Sequence, residues 1–305
     1  MTEILAPMES FDVPSRDGTT LKVYRAGRGP HLWLLPPGLG TPVLCWKYLF
    51  EYFQESMTIV TWDPRGCYGS GKPADLSHLA IDDHVDDAFA VMEAVHWGGE
   101  RFVTGGWSMG IEVGLEFYRR APERVRALTL INGTFEHVLS TAMGIPDAEK
   151  WLGGILRAMT YASPLFGPLS GAVLSAPWAV GLIRALRLVT ANEAFFAEVT
   201  QDFATLDFPT YFQMILRMNE HSARDILPSV AVPTLITAGT ADKMTPLSVS
   251  RFMHEQIPRS ELFQVPDGTH YTTIEYPEIV NLKLEQFFRR RVFGEGFQPP
   301  GAAAV

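Results

Sequence analysis

The sequence predicts an α/β architecture: a mostly parallel central sheet flanked by helices on both faces, with an inserted all-helical cap. Three observations predict it. Apolar strand-like runs alternate with amphipathic helical runs through most of the chain. One long interval, about Thr134 to Arg224, contains helical patterns and no convincing strand. The composition, 47% hydrophobic and 19% charged, supplies a large core and excludes a disordered chain. The expected division is a core over residues 1–133 and 225–291, a helical cap over 134–224 and a flexible tail over 292–305.

Taken in order, Leu21-Lys-Val-Tyr after Asp17-Gly18 reads as a strand leaving a hairpin turn. His31-Leu-Trp-Leu-Leu is an apolar strand that stops at Pro36-Pro37, and Pro42 to Phe53 carries helical spacing. Met57 to Trp62 is a strand closed by Asp63-Pro64. Ile81 to Val95 is a helix whose first turns are acidic, as the helix dipole favours. Arg101 to Trp107 is a strand, Met109 to Arg120 a helix and Val125 to Ile131 a strand. In the interval that follows, Leu152, Ile155, Leu156 and Met159 share one helical face, with Asp147 as N-cap. Thr190 and Glu193 have capping-box spacing ahead of Phe195, Phe196, Val199 and Phe203. The core pattern resumes with a strand at Thr234 to Ala238, a helix at Leu247 to Gln256, a strand at Leu262 to Val265 and a helix at Ile279 to Arg291. Gly294 to Val305, rich in Gly, Pro and Ala, reads as a frayed tail.

Several functions are disfavoured at this level. With 25 basic and 34 acidic residues the formal net charge is −9, so a nucleic-acid-binding face is not expected. Cys45 and Cys67 are too few for a disulfide scaffold and read as free thiols. The first residues lack a basic n-region and a long apolar stretch, which reads as a cytoplasmic protein without a secretory signal. Ala158 to Ile183 carries no charge, but Pro164, Pro168 and Pro177 with Gly167, Gly171 and Gly181 are expected to break any single helix, so membrane association is not expected. The stretch is expected to line a pocket or pack cap against core. Asp82, Asp83, His84, Asp86 and Asp87 spread round a helix and are not read as a metal site. Asp63 and Arg65 read as structural partners in their turn, and no cofactor is implied.

The chemistry centres on Gly106-Trp-Ser-Met-Gly110, a G-x-S-x-G placed where a strand ends and a helix begins. A sharp turn there lifts the Ser108 Oγ clear of the sheet. A serine hydroxyl needs a base. Of eight histidines only His270 lies in a Gly-rich connection, Asp267-Gly-Thr-His, between the last strand and the last helix. The imidazole in turn needs a carboxylate. Asp242, in Gly239-Thr-Ala-Asp at the C-terminal edge of a parallel strand, is the favoured acid, with Asp225 and Asp267 as competitors. Two backbone N–H groups must hold the oxyanion; Met109 follows the nucleophile, and Leu39 lies in the loop Pro36-Pro-Gly-Leu-Gly-Thr.

With Ser108, Asp242 and His270 in that chain order, the sequence resembles an α/β-hydrolase with a helical lid. The likeness runs from about residue 10 to about 291. It includes Asp63-Pro-Arg-Gly-Cys-Tyr-Gly-Ser, similar to the family's D-x-R-G-x-G-x-S turn, together with Pro122-Glu-Arg-Val and Pro233-Thr-Leu-Ile. Two departures narrow it. Pro37-Gly38 stands where many relatives carry His-Gly, and the HGGG form is absent, which argues against a hormone-sensitive-lipase type. A serine nucleophile argues against the dehalogenase and epoxide-hydrolase branches. The resemblance implies a serine hydrolase acting on a small acyl substrate, an ester with an apolar acyl group being favoured. The rivals are a proline-iminopeptidase-like aminopeptidase using Glu193, Glu198, Asp202 or Glu220, a lactonase, a thioesterase, a C–C hydrolase, and a non-catalytic binding protein on the same scaffold. Nothing in the sequence sets an oligomeric state.

Overall fold

A computed structural model of the chain describes residues 7–141, 148–174, 189 and 192–297. Eight strands form one sheet: β1 Met8–Pro14, β2 Thr20–Ala26, β3 His31–Leu34, β4 Met57–Trp62, β5 Phe102–Trp107, β6 Val125–Ile131, β7 Thr234–Gly239 and β8 Ser260–Val265. Their order is β1-β2-β4-β3-β5-β6-β7-β8. β1 and β2 are antiparallel, and β3 to β8 run parallel. Helices cover both faces, so β5 and β7 are buried along their whole length and read as continuous apolar runs.

Successive side chains of β3 serve opposite cores, as the two-residue period of a strand requires. Leu32 and Leu34 join a core with Val85, Ala88 and Val91 of α2 (Ile81–Ala94) and Phe117 of α3 (Gly110–Arg120). Trp33 points the other way, among Leu49, Phe50 and Phe53 of a helix at Lys47–Phe53, here α1. The Trp33 indole N–H is satisfied by Thr129 Oγ1 at 3.0 Å, which lets the largest side chain of the strand be fully buried.

Between β6 and β7 the described residues form α4 (Val138–Thr141), α5 (Ala148–Leu174), α6 (Glu193–Phe203) and α7 (Phe208–Met218), then a 3₁₀ segment Arg224–Ser229. An isolated antiparallel bridge, Glu136 to Ser222, ties the two ends of this interval together. The chain then returns through β7, α8 (Leu247–Gln256), β8, a short α9 (Thr272–Glu275) and α10 (Pro277–Phe287).

Several expectations are corrected. Pro164 and Pro168, with Gly167 and Gly171, do not break the helix: α5 continues to Leu174. Each proline removes one backbone donor, and flanking hydrogen-bonded turns carry the helix past it. Pro177 and Gly181 lie outside the described residues. The expected apolar face of α5 is split, because Leu156 is buried while Ile155 and Met159 are exposed at 46% and 43%. Tyr161, in the uncharged stretch, is 84% exposed, so the described side chains of that stretch do not form a cavity wall. Asp147 and Thr190 also lie outside the described residues, and α6 starts after Asn192, which is left-handed at φ 63° and makes no side-chain cap. Of the expected tail, residues 298–305 lie outside the described residues, and residues 292–297 are not frayed. A π-helical turn, Phe288–Phe293, prolongs α10, and Phe297 is buried beside Phe53 and Phe288.

Asp63 and Arg65 are not each other's partners. Asp63 accepts from Tyr24 Oη at 3.0 Å and from the Gly69 N–H at 2.9 Å. Arg65 is buried and donates to Asp87 Oδ2 at 2.8 Å, Asp17 Oδ2 at 2.9 Å and the His78 carbonyl, tying its loop to α2 and to the β1–β2 turn. The remaining aspartates of α2 are also placed: Asp83 accepts from the Ala80 N–H, and Asp82 and Asp86 pair with Arg120.

One buried acid has no such partner. Among the described residues neither carboxylate oxygen of Glu112, in the first turn of α3, has a hydrogen-bond partner. Burial, with Glu116 and Glu136 nearby, pushes its pKa well above the ordinary value. The folded chain therefore holds a proton that the unfolded chain releases. Stability is lost as pH rises above the unfolded value, at about 1.4 kcal/mol per pH unit until the folded pKa is reached. Glu112→Gln keeps the shape and removes the titration. It should be more stable than wild type at about pH 8 and lose that advantage at about pH 4.5, as urea denaturation at the two values would measure.

Candidate active site

Ser108 sits between β5 and α3 with φ 57°, a left-handed conformation unusual for a residue with a Cβ. The turn is possible because its flanks are small. A Cβ on Gly106 would lie 2.5 Å from the Pro36 carbonyl oxygen, and one on Gly110 would lie 2.3 Å from the same atom. The Ser108 N–H donates to the Ile131 carbonyl at 3.0 Å, which anchors the turn to the end of β6.

His270 lies between β8 and α9, and Asp242 follows β7. These are neighbouring loops at the same edge of the sheet, because β7 and β8 are paired in parallel. His270 Nδ1 is 2.9 Å from Asp242 Oδ2, with both side chains buried. This contact assigns the proton to Nδ1 and leaves Nε2 as the acceptor. Trp107 holds the histidine from behind: its Nε1–H donates to the His270 carbonyl at 2.9 Å.

The Asp242 carboxylate accepts more than the histidine. Oδ1 receives the N–H groups of Met244 at 2.8 Å and Thr245 at 2.9 Å. Oδ2 receives Thr245 Oγ1 at 2.8 Å and Asn132 Nδ2 at 3.3 Å. Burial alone would raise its pKa, but the His270 charge and hydrogen bond and the Thr245 donors outweigh burial and hold it below the ordinary carboxylate value. Asn132 also donates to the Thr269 carbonyl at 3.0 Å, so one residue at the end of β6 braces both the acid and the histidine loop.

The two competing acids are elsewhere. Asp225 is bound by Arg119 through both oxygens at 2.7 Å on the surface, and Asp267 is exposed at the start of the histidine loop. Other histidines have different surroundings: His31 stacks on Phe293, His84 is buried in α2, and His254 meets Ser260. Sequence reasoning missed Asn132, Met244, Thr245 and the Trp107 bond. Only Thr245 carried a readable signal, since an aspartate often accepts backbone N–H groups two and three residues on.

Ser108 and His270 open together into a cavity of about 390 Å³, which Leu39 also lines. Its far wall is built by Phe196, Val199 and Phe203 of α6 and by Tyr211, Ile215 and Met218 of α7. Among the described residues no Asp, Glu, Lys or Arg lines it. Glu198, Asp202 and Glu220 do not line the cavity, and the Glu193 side chain lies outside the described residues. Cys45 is in the wall, and Cys67 is buried beneath the loop of Leu39; burial pushes both thiols far above the ordinary range.

The loop of Leu39 is a tight turn. The Thr41 N–H donates to the Gly38 carbonyl at 3.2 Å, with Gly40 at φ +63°, the left-handed corner such a turn needs. Tyr68 Oη donates to the Gly40 carbonyl at 2.6 Å and holds the turn from below. Among the described residues the backbone N–H groups of Leu39 and Met109 have no hydrogen-bond partner.

The chain is similar to proteins of known family. The chain is 25% identical over 269 residues to the putative carbamate hydrolase RutD of Caulobacter segnis, covering 85% of this chain and 91% of that protein. It is 24% identical over 252 residues to 3-oxoadipate enol-lactonase 2 of Acinetobacter baylyi, covering 83% and 86%. A hydrolase from Pseudomonas aeruginosa PA01 shares the fold with a TM-score of 0.74 at 18% identity, covering 92% of this chain and 98% of that one. The family model for the alpha/beta hydrolase fold matches residues 30–277, and the chain belongs to that family.

Proposed function

We propose that the protein is a serine hydrolase that cleaves a carboxylic ester, or a related acyl bond, through an acyl-enzyme, and that it prefers an uncharged, apolar acyl group. One observation carries the reading: Ser108 and a His270 oriented by Asp242 open into a single cavity that no Asp, Glu, Lys or Arg lines among the described residues. Ser108 Oγ adds to the substrate carbonyl carbon while His270 Nε2 takes its proton. The carbonyl electron pair moves to oxygen, where the N–H groups of Leu39 and Met109 receive it. Collapse expels the leaving group, which takes the proton back from His270. Water then repeats the sequence on the acyl-enzyme and frees Ser108.

The lining supports this reading over two rivals. An aminopeptidase must hold a substrate ammonium, and Glu198, Asp202 and Glu220 are not among the residues that line the cavity. A lactone bearing a carboxylate would call for a cation, and no Lys or Arg lines the wall among the described residues. Two relatives are named for carbamate and enol-lactone hydrolysis, and both bonds carry a carbonyl open to the same attack, which keeps a neutral carbamate or lactone as the second reading.

The test is kcat/KM across p-nitrophenyl esters from acetate to decanoate, with neutral lactones, carbamates and aminoacyl amides alongside. Each CH₂ buried against the cap wall contributes about 0.8 kcal/mol, so the value should rise about fourfold per added carbon over the first members of the series. A value that falls steadily from acetate onward would reject the apolar acyl group. Aminoacyl amides turned over faster than every ester would reject the ester reading.

A further inference from the structure

We propose that the Thr41 side chain is a third donor to the oxyanion, beside the backbone N–H groups of Leu39 and Met109. The inference rests on the reading of Ser108 as a nucleophile and adds a catalytic residue to it. Thr41 is 6% exposed and lines the cavity next to Leu39. Its hydroxyl and the nucleophile's side chain both border the space beside Gly38: a Cβ built on that glycine would lie 2.5 Å from Thr41 Oγ1 and 3.2 Å from Ser108 Cβ.

The hydroxyl is also uncommitted. Among the described residues Thr41 Oγ1 has no hydrogen-bond partner. Two other threonines of the cavity are spent: Thr200 Oγ1 donates to the Phe196 carbonyl at 2.7 Å, and Thr245 Oγ1 to Asp242. The hydroxyl borders the cavity, where a bound substrate would meet it. As Ser108 Oγ bonds to the carbonyl carbon, the π pair becomes a full lone pair on oxygen. A rotatable O–H beside the two N–H groups can then turn to it, and needs no backbone movement to do so.

The backbone that carries Thr41 is held in place. Its own N–H closes the turn onto the Gly38 carbonyl, and Tyr68 grips the Gly40 carbonyl. A donor on so firm a turn is pre-organised for charge that develops only in the transition state, the arrangement that raises kcat and not ground-state affinity.

The experiment compares Thr41→Val, which keeps the branched shape and removes the O–H, with Thr41→Ser, which keeps the O–H and removes the methyl. The expected result is a fall in kcat of about 10²-fold for Thr41→Val with KM little changed, and near-normal turnover for Thr41→Ser. A trifluoromethyl ketone, which traps Ser108 as a tetrahedral oxyanion, should lose affinity for Thr41→Val by a similar factor. If Thr41→Val fails to fold, Thr41→Ala set against Thr41→Ser makes the same comparison. Wild-type kcat in Thr41→Val, a change confined to KM, or Thr41→Ser as slow as Thr41→Val would each overturn the proposal. Wild-type turnover that survives Ser108→Ala would instead strike the hydrolase reading, and this proposal with it.

Discussion

Replacing Ser108 by alanine should abolish ester turnover, with kcat falling by about 10⁶, the scale set by removing the serine nucleophile of a comparable triad. The expectation follows from what the substitution leaves behind. Alanine retains the Cβ, so the left-handed turn at φ 57°, the Pro36 contacts of its glycines and the bond from the N–H at position 108 to Ile131 are kept. Only Oγ goes. His270 is still held at 2.9 Å by Asp242 and has no proton to take. The Leu39 and Met109 donors remain, so a residual enhancement of about 10³ to 10⁴ over water is the floor. A melting temperature within a few degrees of wild type would show that the fold is intact, and ester hydrolysis near the wild-type rate would reject Ser108 as nucleophile. A fluorophosphonate that labels the wild type and spares the variant reports the same residue independently of any substrate.

The core strands and helices are legible in the sequence because their signals are local. A strand buried on both faces is a short apolar run stopped by Gly or Pro, and β3, β4, β5 and β7 each have that form. The nucleophile turn is legible because only glycine tolerates the approach of Pro36, so the G-x-S-x-G pattern is a steric record of that contact. What the sequence does not reveal is set by distant contacts. Asn132 supports Asp242 from 110 positions away, and no spacing rule connects them. Arg65 finds Asp87 and Asp17, not the neighbouring Asp63, because a buried guanidinium seeks several acceptors at once. Proline in α5 misleads for a different reason. The residue predicts a lost donor at one position, and whether a helix survives that loss depends on the turns around it. Absence of charge in Ala158 to Ile183 reads as burial, but most side chains of that stretch lie outside the described residues, and the described wall includes aromatic and aliphatic residues of α6 and α7 that composition does not single out.

The second large effect is expected at Asp242, where asparagine should cost about 10⁴ in kcat, the figure for the same exchange in a serine protease. Here the environment dictates which way the amide must face. Oδ1 of the native carboxylate receives two backbone N–H groups, from Met244 and Thr245, and those can only be met by an oxygen. In Asp242→Asn the amide oxygen therefore takes the Oδ1 position, and the NH₂ takes the place of Oδ2, against His270 Nδ1, Thr245 Oγ1 and Asn132 Nδ2. Thr245 Oγ1 can rotate to accept, but Asn132 is held by its second bond to the Thr269 carbonyl and becomes a clash of donors. A donor facing Nδ1 makes that atom the acceptor and moves the imidazole proton to Nε2. An Nε2–H cannot take the proton of Ser108. The loss should appear in kcat with KM little changed, and His270 ring-nitrogen NMR shifts should report the exchanged tautomer. Asp225→Asn and Asp267→Asn are the controls. The first breaks a surface pair with Arg119 and the second alters an exposed loop residue, so both should keep near-normal turnover. If either of them loses four orders of magnitude while Asp242→Asn does not, the acid has been assigned to the wrong loop.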